Sequence, residues 1–227
     1  MGVHLQRDID KLKKKILTLS MMVEEALYDA VMAFKNRDET LARKVIDNDK
    51  KVDEMEVEVE SDCLKILALH QPVAFDLRYV VSVLKINNDL ERVGDLATNI
   101  AQRAIELKSL EDCDLLFDFE SMFEKVKVML KKSLSALIEL NVEEAGQVCA
   151  LDDEVDAMHR NLYHLIEDYL QNQPQKAALY LQYISLSRYL ERIADLATNI
   201  SEDVIYMVRG TISRHNPEQL QIDSFNS

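Results

Sequence analysis

Four acidic pairs recur along this chain at one spacing: Asp49 and Asp53, Glu91 and Asp95, Asp152 and Asp156, Glu191 and Asp195. Each pair is i, i+4, so on an α-helix it stacks two carboxylates on one face, one turn apart. Like charges so placed oppose the helix by about 0.2–0.5 kcal/mol per pair. Carboxylates drawn together also raise one another's pKa values unless positive charge neutralises them. Arg92 and Arg192, adjacent to Glu91 and Glu191, are one source of that charge; a bound metal is the other. Oxygen-only ligands suit hard cations such as Mg²⁺, Mn²⁺, Ca²⁺ or iron, and bridging carboxylates leave a multinuclear cluster open. Asn99 and Asn199, one turn beyond Asp95 and Asp195, are either further oxygen ligands or ordinary surface amides. Plain solvated faces also look like this, and what argues against that reading is the number and arrangement of the pairs.

The pairs belong to a duplication. Residues 91–100 read ERVGDLATNI and residues 191–200 read ERIADLATNI, identical at eight of ten positions. Upstream, NDKKVDEM (48–55) parallels LDDEVDAM (151–158), and HQP (70–72) parallels NQP (172–174). The chain therefore reads as two tandem halves, 1–110 and 113–210, followed by a polar tail over 211–227. Asp53 and Glu91 lie 19 residues either side of Pro72, and Asp49 and Asp95 lie 23 residues either side. Two antiparallel helices folded at Pro72 thus bring both pairs to one height, and the second half repeats this about a pivot beside Pro174. A wheel at 100° per residue puts Val93, Leu96, Ala97 and Ile100 on an apolar stripe and Glu91, Asp95, Thr98 and Asn99 opposite. Gly94 and Ala194, both small, let another helix approach beside the acidic face.

The elements that carry these residues are helices. Of 227 residues, 48% are hydrophobic and 30% charged, with only four Gly, three Pro and no Trp, too few turn residues for a sheet protein. Helical periodicity breaks twice in each half, at Asn36-Arg37-Asp38 and Pro72, then at Asn141 and Pro174. It predicts helices over 4–36, 39–70, 74–108, 115–139, 142–171 and 175–209. Asp38 is expected to cap the second helix, Asn141 with Glu144 to form a capping box, and Gly210 to end the last. The fold class expected is all-α: two tandem antiparallel three-helix bundles of six long helices.

Other chemistry is scarce. A net charge of −14 disfavours nucleic acid. Cys63, Cys113 and Cys149 are odd in number and lack CxxC spacing, which argues against a disulfide framework or zinc ribbon and for a reducing compartment. The longest run free of charge is eleven residues, Ala177–Ser187, too short to span a bilayer. The segment KLKKKILTLSMMVEEAL imitates a signal peptide weakly and reads better as an amphipathic helix, so the location expected is cytoplasmic. The lysines at 11, 13, 14 and 15 read as a solvated helix start. No phosphate loop, nucleophile elbow or H-E-x-x-H occurs, and the expectation is a non-enzyme. Asp156 with His159 forms one D-x-x-H, which keeps open a carboxylate-bridged di-iron oxidase or iron-storage bundle; the other half has Glu56 at that position. His4, His70, His164 and His215 show no partner at ligand spacing.

The stretches QPVAFDLRYVVSVLKINNDLERVGDLATNI (71–100) and RYLERIADLATNI (188–200) resemble the two signature stretches of the PhoU family, phosphate-transport-associated regulators of bacteria and archaea. The resemblance runs from about Asp8 to Gly210. It implies two bundles related by a pseudo-twofold, often as homodimers. It implies multinuclear metal clusters on the E/D-x-x-x-D residues, here Asp49, Asp53, Glu91 and Asp95 in one half and Asp152, Asp156, Glu191 and Asp195 in the other. It further implies negative regulation of phosphate uptake and phosphate-starvation signalling, through the ATPase subunit of the phosphate ABC transporter and a sensor histidine kinase. The DLR of residues 76–78 has no counterpart in the second half, which reads KAALYL there, so a partner contact through Asp76 or Arg78 would be one-sided.

Overall fold

The structure, a computed structural model, describes residues 3–110 and 117–211. Within them are six α-helices: α1 (Val3–Asn36), α2 (Glu39–His70), α3 (Ala74–Leu107), α4 (Phe119–Glu139), α5 (Val142–Asn172) and α6 (Ala177–Arg209). A 3₁₀ turn over Pro174–Lys176 precedes α6. Helices α1–α3 form one antiparallel bundle and α4–α6 the other, as the periodicity predicts. Cys113, His215, the start expected for the fourth helix at 115 and the tail from 212 lie outside the described residues.

Each helix exists because its apolar residues return every three or four positions. On α1, Leu5, Ile9, Leu12, Ile16, Leu19, Val23 and Leu27 are buried in sequence. The repeat is written in the core itself. Ala42, Val45, Val52, Val59 and Cys63 on α2 are matched by Ala145, Val148, Val155, Leu162 and Ile166 on α5, all buried. Leu90, Val93, Leu96, Ala97 and Ile100 on α3 are likewise matched by Leu190, Ile193, Leu196, Ala197 and Ile200 on α6. Fully buried leucines such as Leu12 and Leu90 each contribute about 1.5–3 kcal/mol of apolar burial.

Helix ends follow the expected caps with two departures. Asp38 accepts from Leu41 N and caps α2. Asn141 accepts from Glu143 N and Glu144 N, but its own N–H bonds Ala136 O, so the capping box closes on one side only. The fourth helix begins at Phe119, where Asp118 caps it through Ser121 N, rather than at 115. Gly210 ends α6 in the left-handed region at φ 76°. Among the described residues of this glycine-poor chain, three corners carry non-glycine residues at positive φ: Arg37, Gln71 with Ala74, and Leu140. Each costs about 1–2 kcal/mol that the packed helices must offset.

The halves meet through α3 and α6, which run antiparallel. Arg78 Nε donates to Met207 O at 3.1 Å, Lys85 pairs with Asp203 at 3.2 Å, and Gln182 Nε2 donates to Glu106 at 3.0 Å. That register crosses the two helices level with the duplicated ten residues, which places a pseudo-twofold axis there. At the far ends, Arg78 satisfies Met207 O in the last turn of α6, and Arg37 donates to Leu107 O, at the end of α3, and to Leu110 O beyond it.

Candidate metal centre

The α2–α3 hairpin brings Asp49, Asp53, Glu91 and Asp95 into one group, with Glu56 beside them. Burial raises the Glu91 pKa first, and the charges of Asp95, Asp53, Glu56 and Asp49 add to it. Asp49 is raised by burial and then by Asp53 and Asp95, with Thr98 pulling the other way. Position 94 lies at the close approach of α2 to α3, where only a small residue fits. A Cβ there would meet Val52 Cγ1 at 3.1 Å and Asp49 Oδ1 at 3.7 Å.

The second half builds the same group from Asp152, Asp156, Glu191 and Asp195. Burial, then the charges of Asp195, Asp156 and Asp153, push Asp152 up to about 6. Glu191 is raised by burial and then by Asp195, Asp156 and Asp152, and Asp195 by burial and then by Asp156. The arginines behave unequally. Arg192 opposes the rise at Glu191 and Asp195, whereas Arg92 turns to Asp89 at 3.7 Å. Arg160 pairs with Asp156 at 3.2 Å. Buried atoms are left over: Asp152 Oδ1, Thr98 Oγ1 and Thr198 Oγ1 reach no partner at hydrogen-bond geometry. The two threonines still lie near enough to Asp49 and Asp152 to favour their ionised forms.

One carboxylate of each group, Asp95 and Asp195, lines a cleft of about 340 Å³ at the α3–α6 crossing, together with Arg92, Asn99, Arg192 and Asn199. Among the described residues, no three carboxylate, imidazole or thiol groups yet converge into a coordination sphere. The donor set nonetheless fits a hard cation. An ion would favour the ionised forms of the five carboxyls that burial first, and neighbouring charge second, hold above their usual range, and would give Asp152 Oδ1 a partner. Asp49, Asp53, Glu91 and Asp95 would hold it in one half and Asp152, Asp156, Glu191 and Asp195 in the other.

Several neighbours of the site escape a reading by short-range spacing. Asn87, buried in α3, donates Nδ2 to Glu56 Oε1 at 2.9 Å. His159 Nδ1 lies 2.7 Å from Ser187 Oγ. His70 does have a partner, Asp8 at 3.1 Å, 62 residues away in sequence. Lys15 is not merely solvated but bridges Asp62 and Glu58. Arg78 Nε is bonded to Met207 O at the end of α6. Cys63 and Cys149 are free thiols, and burial foremost pushes them up to about 12 and about 11, which leaves them unreactive. No described helix is long and apolar enough to cross a membrane.

Residues 16–104 and 119–204 each match the PhoU domain. The chain belongs to the PhoU family. It is 34% identical over 206 residues to the phosphate-specific transport system accessory protein PhoU homolog of Clostridium acetobutylicum, covering 90% of this chain and 94% of that one. It is 33% identical over 208 residues to the Escherichia coli accessory protein PhoU, covering 92% and 86%. The crystal structure of PhoU from Pseudomonas aeruginosa superposes with a TM-score of 0.87 at 33% identity, covering 91% of this chain and 99% of that one. The PhoU fold, with its paired three-helix repeats, is therefore the scaffold on which both acidic groups stand.

Proposed function

We propose that this chain is a cytoplasmic, metal-binding adaptor that restrains phosphate uptake and phosphate-starvation signalling. Its partners on this reading are the ATPase subunit of the phosphate ABC transporter, a sensor histidine kinase, and a second copy of itself in a homodimer. Family membership supports the regulatory role, since the relatives carry the name of accessory proteins of phosphate-specific transport. The observation that supports the metal is the duplication of a half-buried acidic group whose members repel one another, with Asp95 of one and Asp195 of the other lining a shared cleft. No nucleophile and base are set up for catalysis there, and the role is one of contact rather than turnover.

The mechanism follows from which helices hold the carboxylates. A cation in the first group ties α2 to α3, and one in the second ties α5 to α6. Because α3 and α6 are also the joint between halves, metal sets the shape of the whole cleft face. The test is elemental analysis of protein purified without chelator, followed by affinity measurements on the transporter ATPase subunit. Native protein is expected to carry metal, and the Asp95→Ala, Asp195→Ala double variant to lose both the metal and at least tenfold in affinity. Metal lost with affinity intact would break the coupling. The di-iron oxidase reading gains no support: His70 and His164 pair with Asp8 and Glu167, which belong to neither acidic group, and of these three histidines only His159 feels the charge of a group member, Asp156. Ferroxidase activity after iron loading would revive it.

A further inference from the structure

At the surface the duplication breaks down, and matched positions of the two halves carry opposite charge. A cleft of about 590 Å³ lies between α2, α3 and the far part of α6. Its wall holds four carboxylates, Glu56, Glu60, Asp89 and Glu202, and two cations, Lys85 and Arg92. Both cations are already engaged, Lys85 by Asp203 at 3.2 Å and Arg92 by Asp89 at 3.7 Å. Glu60 is exposed and makes no ion pair among the described residues.

One repeat further on, these positions hold no carboxylate. Glu56, Glu60 and Asp89 are replaced by His159, Tyr163 and Tyr189, and Glu202 by Gln102. Lys85 becomes Ser185 and Asn88 becomes Arg188, while Arg92 is kept as Arg192. Arg188 is exposed, lies 5.6 Å over the Tyr189 ring and makes no ion pair among the described residues. Its charge and that of Arg160 both reach His159. Tyr163 is 41% exposed. Where the first half has Glu60, Asn88 and Asp89, the second thus has three larger side chains, Tyr163, Arg188 and Tyr189. It presents a basic, aromatic face that is full where the first half is hollow. Tyrosine and arginine are the side chains that most often anchor protein interfaces.

The two patches lie on one side of the molecule. Arg92 and Asn199 line both the acidic cleft and the central cleft at the α3–α6 crossing. Their repeat equivalents, Arg192 and Asn99, line the central cleft from the other half.

We propose that the homodimer forms through this side, with the acidic cleft of each copy receiving the basic, aromatic face of the other. The inference rests on the homodimer reading above and names its surface. A twofold axis lying in the face, perpendicular to the line joining the two patches, makes both contacts at once and makes them identical, as an isologous interface requires. The spacing between the patches is the same in both copies, so a second copy meets both without adjustment. A twofold along that line would instead set acid on acid and base on base, which like charge disfavours. In the favoured pair, Arg188 enters the acidic cleft of the other copy, and Tyr163 covers its α2 wall, where Glu60 stands. The central clefts then stack, each with Arg92 and Arg192 beside Asp95 and Asp195, so their charges balance.

The test is sedimentation equilibrium on the full chain. Native protein is expected to dimerise, and more tightly at low salt than at high. Glu60→Arg and Arg188→Glu each set like charges together at both contacts, and each should weaken the dimer by about tenfold or more. An equimolar mixture of the two variants should regain the native affinity, because each contact then pairs opposite charges again. Such rescue also shows that both variants are folded. A native dimer that persists in both variants would overturn the inference and leave the homodimer on another surface. So would loss of the dimer in both, with native circular dichroism and no rescue in the mixture. A native chain that stays monomeric at every concentration and salt would overturn both.

Discussion

Replacing Asp152 with Asn tests whether the acidic groups are held together against their own repulsion. Asp152 titrates near 6 in the fold and at 3.8 as a free side chain, because burial and then Asp195, Asp156 and Asp153 disfavour its charge. That difference of about 2 units is worth about 3 kcal/mol. Solvent reaches part of the residue, and screening trims this to about 1–2 kcal/mol. The raised pKa fixes the sign. The contribution is fully present below 3.8 and is lost as pH rises through about 6. In chelator, Asp152→Asn should therefore match native protein near pH 4 and exceed it at pH 8. For a chain of this size the gap is about 3–6 °C in thermal midpoint. Saturating metal should reverse the order, since a ligand at 100 times its Kd stabilises the native chain by about 2.7 kcal/mol and the variant has lost a ligand. Melting curves at pH 4, 6 and 8, with and without chelator, decide it. A variant less stable than native at pH 8 in chelator would refute the argument that these charges oppose the fold.

Metal affinity should itself fall as pH drops through about 6, with protons released on binding, because Asp152 must ionise to ligate; calorimetry in buffers of different ionisation enthalpy reads this out. Gly94→Ala should change stability by less than about 1 kcal/mol, because the lower entropy cost of Ala in a helix offsets the 3.1 Å approach to Val52. Gly94→Leu should instead lever α2 off α3, costing about 1–3 kcal/mol and weakening metal binding in the first half alone, as half-specific metal analysis would show. Arg78→Ala removes the 3.1 Å bond to Met207 O and should cost about 1–2 kcal/mol. Hydrogen exchange should quicken in the last turn of α6 while metal content stays unchanged.

Much of the fold is legible in the letters because helices declare themselves locally. Asp38, Asn141 and Gly210 mark their ends by side-chain type, and the levelling of Asp49 and Asp53 with Glu91 and Asp95 follows from counting residues about Pro72. What the letters hide is long-range or conformational. Gln71, Ala74 and Leu140 sit at positive φ although nothing in their identity favours it; packing of the flanking helices imposes it. The antiparallel crossing of α3 on α6 is set by contacts more than 100 residues apart, such as Arg78 with Met207. The partnership of His159 with Ser187 spans 28 residues, beyond any helical spacing, although the matched change from Glu56 and Asn87 was a signal in the repeat. The start of α4 at Phe119 is set by the Asp118 cap, which apolar periodicity does not reveal.

The capping of the joint carries a last consequence. Arg78 belongs to α3 and closes the end of α6, while Arg37 arrives from a loop to close the end of α3. Although the centre of the molecule looks the same after a half turn, its two extremities do not. Copying one module has thus left a joint whose two ends are closed by unrelated residues, so the halves of this chain are no longer interchangeable there.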